Sequence, residues 1–449
     1  MAAKKKARGK KAPAKRAATT KRPAAKKKST AKKPAGKKKA ARGGAKAAPA
    51  RKAAPSTTGG GAREVVILSA VRTGLAKGGK GTLKDTRPDH YAAAVIQEAI
   101  KRAGLTEKDP SDLVLGCAMP EAEQGMNVAR ISGLLAGLPV DVPAMTLNRF
   151  CSSGLEAVAT VSDRILANRY KVGVAGGLES MSLVPMGGHR PSASPELMDR
   201  MPEAYTPMGI TAENVAKRFH VSRQDQDEFA LRSHQRAVAA IESGRFRDEI
   251  LPVTARLVDD NGQETTVTFD TDEGPRKETT LEALSKLKPA FDKEGSVTAG
   301  NSSQVTDGAA AVVVADAAWA KEQGLKPRAY LRGYTVVGVP PDIMGVGPVY
   351  AIRKLLDMTG LKIDDIDLFE INEAFASQAI YCQRELGIDT DKLNVNGGAI
   401  ALGHPLGCTG ARQIATILSE MERRNARYGV ISMCVGGGMG AAGLLERAV

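Results

Sequence analysis

Asn148-Arg149-Phe150-Cys151-Ser152-Ser153-Gly154 joins an apolar, strand-like run to a helical pattern carried by Leu155, Val158, Ala159, Ile165 and Leu166. A strand that turns straight into a helix is a building unit of α/β proteins, and the same alternation continues on both sides of it. Val65 to Ala70 reads as a buried strand, Tyr91 to Ala103 as an amphipathic helix and Asp112 to Cys117 as another strand. The placement also bears on Cys151. Its sulfur is expected over a helix N-terminus, where the dipole and unpaired N–H groups favour a thiolate, the form that attacks carbonyls.

Two distant segments carry complementary chemistry: Gly403-His404-Pro405, and Cys434-Val435-Gly436 within a glycine-rich stretch. A nucleophilic thiol, a histidine and a second thiol are the parts of an acyl-transfer site. The body is also duplicated. Gly154, Ala159 and Thr160 recur as Gly410, Ala415 and Thr416 at a constant offset, each set in a helix after a Ser/Cys/Thr-rich turn. Both helices lead to an Arg-Tyr pair, Arg169-Tyr170 and Arg427-Tyr428, and then to a strand and a double glycine. Asp112-Leu113-Val114-Leu115 pairs likewise with Asp367-Leu368-Phe369-Glu370. Duplicated α/β halves place a site between them.

Residues 1–62 are a different kind of polymer. They hold 22 Lys or Arg and no Asp or Glu, in a background of Ala, Pro, Gly, Ser and Thr. With no large apolar residue after Met1 the segment cannot bury a core, and disorder is expected. Taking those 22 charges from the net +16 leaves −6 for residues 63–449, so the basic character belongs to the tail. No run approaches 18 apolar residues, and no membrane span is expected. The N-terminus lacks the apolar stretch of a secretory signal and fits a transit peptide poorly. Five cysteines without CxxC spacing point to a reduced, intracellular protein, expected in the cytoplasm. Cys117 and Cys382 are read as packing residues. His90, His189, His220 and His234 do not form a metal-ligand spacing, and no metal is expected.

Between about 185 and 300 the texture changes to Pro, Met and His clusters, a charged helix around Arg223 to Ser243 and a polar hairpin over Thr254 to Thr271. The expected division is a first α/β half over 63–184, completed by about 301–326, an inserted loop subdomain over 185–300, and a second half over 327–449.

The body resembles the thiolases, specifically 3-ketoacyl-CoA thiolases of the β-oxidation type, over essentially all of residues 63–449. Besides the three motifs above, the resemblance rests on Gly177-Leu178-Glu179-Ser180-Met181-Ser182, Met208-Gly209-Ile210-Thr211-Ala212-Glu213 and Thr298-Ala299-Gly300-Asn301-Ser302-Ser303. It includes Asn372-Glu373-Ala374-Phe375 and Gly436-Gly437-Gly438-Met439-Gly440 as well. It implies two βαβαβαββ-type halves in a layered αβαβα body. By the same resemblance Cys151 is the nucleophile, His404 takes its proton, and Cys434 protonates the departing enolate. His404 and a water held by Asn372 would meet the enolate oxygen. Backbone N–H groups of Cys151 and Gly436 would meet the acyl-enzyme carbonyl, and Ser303 would contact the pantetheine arm of CoA. Asn372 also stands where it would cap a helix beginning at Glu373. Phe150 and Glu156 depart from the family's commoner residues and are expected to alter the acyl pocket.

No permanently bound cofactor is implied; CoA and acyl-CoA are substrates. The expected reaction is thiolysis of a 3-ketoacyl-CoA, with a biosynthetic acetoacetyl-CoA thiolase as the alternative. Decarboxylating ketoacyl synthases lack a second cysteine in a Cys-x-Gly context, so Cys434 argues against them. A third reading, from another class, is a nucleic-acid-binding protein. The tail's Lys-Lys-Lys, Pro-Ala-Lys and Lys-Pro-Ala-Gly-Lys units resemble lysine-rich histone H1-type tails, as found on some bacterial nucleoid proteins, and point to nonspecific nucleic-acid binding and nucleoid association. A homodimer or homotetramer is expected, with a hydratase/dehydrogenase subunit as a further partner.

Overall fold

A computed structural model of the chain describes residues 63–448, so the tail and its expected disorder lie outside the described residues. The strands are β1 (Val65–Arg72), β2 (Ala76–Lys77), β3 (Leu113–Gly116), β4 (Ala144–Leu147), β5 (Val172–Ser180), β6 (Val253–Val258), β7 (Glu264–Phe269), β8 (Thr306–Asp316), β9 (Ala329–Gly338), β10 (Leu368–Ile371), β11 (Tyr428–Val435) and β12 (Met439–Arg447). All but β6 and β7 form one sheet, in the order β10-β11-β12-β9-β1-β8-β5-β3-β4 with β2 beside β8.

The order contains the duplication. The run β3-β5-β8-β1 is matched by β10-β11-β12-β9, with the first pair parallel and the next two antiparallel in each. The halves meet where β1 pairs antiparallel with β9, Val66 opposite Tyr330 and Ile67 opposite Ala329. β8 is far from β5 in sequence yet pairs with it along nine residues, from Val172↔Ala315 to Ser180↔Asp307.

Alternation along the strands feeds three apolar layers. Val312 and Val314 face a central core with Leu155, Val158, Ile414 and Ile417, so the helices Ser153–Leu166 and Thr409–Arg424 lie between the two half-sheets. Val313 and Ala315 face the other way, onto Tyr91 and Ile96 of the helix Pro88–Arg102. In the second half Ile431 joins the central core, while Val430 packs outward on Ile352 and Leu355 of the helix Gly347–Thr359. The result is the expected αβαβα layering.

The two central helices cross where the repeat places its glycines. A Cβ on Gly154 would stand 2.8 Å from the Ala411 nitrogen and the Gly407 oxygen, and one on Gly410 would collide with the Leu155 backbone. Only hydrogen fits at either position, so both helix N-termini reach the same point. Segment 185–300 carries the expected charged helix, Arg223–Glu242, capped by a Ser222/Asp225 box, and the expected hairpin β6–β7. Its helix Met208–Arg218 brings Met208 and Ala212 against Cys434.

Candidate active site

Cys151 sits in a strained turn. After β4 the chain places Phe150 at φ 43°, a left-handed conformation that costs a bulky L-residue about 1–2 kcal/mol. Three local bonds hold it: Phe150 N donates to Asn148 Oδ1 at 2.7 Å, Arg149 N donates to Ser153 Oγ at 2.8 Å, and Ser153 Oγ donates to the Phe150 carbonyl at 2.7 Å. A single 3-10 turn, Phe150–Ser152, then leads into the helix. The thiol is buried and faces two backbone N–H groups, its own and that of Gly436.

Gly436 opens the turn between β11 and β12, two residues after Cys434. The Phe150 ring covers it, 3.5 Å from where a Cβ would stand. Cys434 is fully buried among Ala212, Val297, Met344, Ala374 and Phe375, close enough to Cys151 for a charge on one thiol to oppose a charge on the other.

His404 follows Gly403, whose φ of 109° and contact with Thr306 exclude a side chain. Thr306 Oγ1 accepts from His404 N at 3.1 Å. The buried ring is held at both nitrogens: Nδ1 lies 2.6 Å from Thr409 Oγ1, and Nε2 lies 3.2 Å from Asn372 Nδ2. Asn372 Oδ1 is buried without a partner. The expected cap at Asn372 is corrected here. The helix begins at Ala376, and the Asn372 side chain is turned to the histidine. Ser303 is half-buried and donates its N–H to the Ala374 carbonyl at 2.9 Å, which ties the Thr298–Ser303 loop to the Asn372–Phe375 loop.

The structure therefore brings together Cys151, Cys434 and Gly436 as one group and His404 with Asn372 as another. The Asn372–Phe375 loop joins them, through Ala374 and Phe375 on Cys434. Glu156 is engaged by Arg149 and by Tyr334, both at 2.5 Å.

Two buried carboxylates had no role assigned from sequence. Glu179 accepts from Ala118 N, Gly407 N, Met119 N and Gln124 Nε2 at 2.8, 2.8, 3.0 and 3.1 Å. It clamps the loop after β3 to the turn that follows His404. Glu373 accepts from Ser233 Oγ at 2.6 Å, Asn394 Nδ2 at 2.8 Å and Ile400 N at 3.2 Å. Their sequence signal was an acidic residue inside an otherwise apolar or small-residue run.

This geometry has relatives. The family model "Thiolase, N-terminal domain" matches residues 65–318, and "Thiolase, C-terminal domain" matches 325–447. The chain belongs to the thiolase family. The 3-ketoacyl-CoA thiolase of Bacillus subtilis is 53% identical over 388 residues, 86% of this chain and 99% of the relative. The human peroxisomal 3-ketoacyl-CoA thiolase is 49% identical over 404 residues, 89% of this chain and 94% of that one. A crystal structure of the Bacillus anthracis acetyl-CoA acetyltransferase superposes with a TM-score of 0.79 at 42% identity, covering 86% of this chain and 99% of that one.

In this thiolase the resting charge states differ from the expected thiolate. Burial pushes the Cys151 thiol up to about 12, against the pull of the two N–H groups, because the charged sulfur would lose its water. Cys434 is raised well above its ordinary value, by burial first and by Cys151 second. Burial and the nearby Arg412 lower the His404 ring to about 3. All three groups are neutral at rest, and the histidine is a free base.

A pH dependence of stability follows. The unfolded ring takes up a proton near pH 6.5, the folded ring only near 3, so between these values the unfolded state binds more protons and stability falls as the pH drops. Between pH 7 and 5 the wild type is expected to lose on the order of 2 kcal/mol more than His404→Gln, in chemical denaturation at both pH values. Equal losses would mean that the folded protein accepts the proton on this ring.

Proposed function

We propose that this chain cleaves 3-ketoacyl-CoA with CoA to give acetyl-CoA and a shortened acyl-CoA, as in fatty acid β-oxidation. The observation that carries the reading is the convergence of Cys151 and Cys434 at one buried point, with the N–H groups of Cys151 and Gly436 aimed at it. His404 Nε2 takes the Cys151 proton as the sulfur attacks the β-carbonyl. The Cα–Cβ bond then breaks, its electron pair passes to the acetyl-CoA enolate, and Cys434 supplies the proton that converts the enolate to acetyl-CoA. In the second half CoA gives its thiol proton to Cys434 and attacks the acyl-enzyme; Cys151 leaves and recovers its proton from His404.

Two separate stabilisers of negative oxygen accompany these steps. The unpartnered Asn372 Oδ1 can hold a water which, with His404, meets the enolate oxygen. The Cys151 and Gly436 N–H groups meet the acyl carbonyl, and loss of one such donor typically costs about 3 kcal/mol. Ser303 is assigned to the pantetheine arm, and CoA and acyl-CoA are substrates rather than resident cofactors. Phe150, over Gly436, shapes the acyl pocket.

The domain division accompanying this reading is 63–184 completed by 301–326, a loop subdomain over 185–300, and 327–449; the return of β8 to the first half's sheet supports it. A second copy of the chain is proposed to pair along β4. That strand ends the sheet half-buried, flanked by Val140 and Met126, which are 82% and 91% exposed. Among the described residues no helix is long and apolar enough to cross a membrane, and we place the reaction in the cytoplasm.

Cys434→Ser is expected to lose C–C cleavage by several orders of magnitude more than acyl exchange between Cys151 and CoA. Proton transfer to carbon needs Cys434, whereas thioester exchange depends mainly on Cys151 and His404. Equal losses in the two assays would assign Cys434 the wrong role.

The tail precedes the matched region, and we propose that it binds nucleic acid nonspecifically through its 22 positive charges. It has no aromatic residue to stack on bases, so readout of sequence is not expected. Deleting residues 1–62 is expected to leave thiolysis nearly intact and to abolish gel-shift binding to duplex DNA. With about 8 phosphates contacted, the log–log slope against salt would be about −7. DNA binding that survives truncation, or activity that collapses with it, would overturn this modular reading.

A further inference from the structure

His404 is held at both ring nitrogens, and the two partners limit which nitrogen carries the proton. Thr409 Oγ1 stands 2.9 Å from the Pro405 carbonyl oxygen, the i to i−4 geometry in which a helical threonine donates its only proton. Toward His404 Nδ1, at 2.6 Å, the same oxygen is then left to accept. At the other end Asn372 Nδ2, 3.2 Å from Nε2, is a group that can only donate. The Thr409 contact requires a proton on Nδ1 and the Asn372 contact a lone pair on Nε2, and the two describe the same neutral tautomer.

We propose that Thr409 is a positioning residue of the thiolase reaction, holding His404 in the Nδ1–H tautomer so that Nε2 is the base. This inference rests on the reading of His404 as the group that deprotonates Cys151.

The placement of Thr409 suits the task. It is the first residue of the second central helix, one turn before Arg412 and next to Gly410, the glycine that lets this helix meet the one beginning beside Cys151. The hydroxyl is thus fixed by the same crossing that assembles the site. When Nε2 takes the thiol proton, Nδ1–H remains bonded to Thr409, and the imidazolium keeps an acceptor for one of its two N–H groups. Arg412 is the charged group that acts on the ring. Burial and Arg412 both oppose its protonation, so the proton is held only while it is in transit.

Removing the hydroxyl need not break the turn. Cys408 N and Thr409 N also donate to the Pro405 carbonyl, at 3.0 and 2.9 Å, and both bonds survive in Thr409→Val.

The test uses the full-length enzyme. Histidine-selective 15N labelling leaves five imidazoles, and the pair of ring signals lost in His404→Ala is assigned to this ring. In the wild type, pyrrole-like Nδ1 and pyridine-like Nε2 shifts are expected. In single-turnover acylation of Cys151 by an acyl-CoA, Thr409→Val is expected to slow the step about 10- to 100-fold, a fraction of what general-base catalysis supplies, and Thr409→Ser to retain most of the rate. A resting proton on Nε2, or acylation by Thr409→Val at the wild-type rate, would overturn the proposal. His404→Ala separates the two levels. If it acylates normally, the role of His404 itself fails; if it does not while Thr409→Val does, only Thr409 loses its role. Should Thr409→Val not fold, the wild-type spectrum decides alone.

Discussion

Two helices, one starting after the turn that holds Cys151 and one after the turn that holds His404, approach so closely that neither tolerates a Cβ at the crossing, and the rest of the site depends on that approach. Gly154 lies against Gly407 and Ala411, and Gly410 against Leu155. Cys151 stands three residues before one glycine and His404 six before the other. Cys151 and His404, the proposed nucleophile and base, come from opposite halves of a duplicated body because both halves deliver a helix N-terminus to one point. The half-sheets hold those helices between them, and Glu179 ties the turn after His404 to the loop after β3.

Burial at that point sets the proton chemistry. Burial raises the Cys151 thiol to about 12 and, with Arg412, lowers the His404 ring to about 3, so both are favoured in their neutral forms. The proton moves only when developing charge can be met, and the N–H groups of Cys151 and Gly436 are already directed at the sulfur. Two thiols so close also exclude simultaneous ionisation. That suits a cycle in which Cys151 is masked as a thioester while Cys434 gives and receives a proton.

Much of this was readable in the chain. The strand-to-helix junction at Cys151, the repeat from Gly154 to Gly410 and the hairpin over Thr254 to Thr271 all appear as expected, because strong periodicity and paired small residues record local structure and close packing. Two readings failed for a common reason. The helix-start argument for a Cys151 thiolate counted dipoles and N–H donors but could not count lost water. The cap at Asn372 was a sound local preference, overridden by a histidine 32 positions away. Glu179 stood out only as an acidic residue in a small-residue run and Thr409 not at all, and neither showed its partners, which come from elsewhere in the fold: four donors from two connections for one, an imidazole across a tight turn for the other.

Cys151, set by the crossing at Gly154 and Gly410, is the proposed acyl acceptor, in preference to Cys434 and to Cys408, which is buried in the same core as Cys151. The direct measurement is to mix the enzyme with an acyl-CoA, quench at low pH and map the adduct by mass spectrometry. A single thioester on the peptide containing Cys151 is expected. An acyl group found on Cys434 or Cys408 would contradict it.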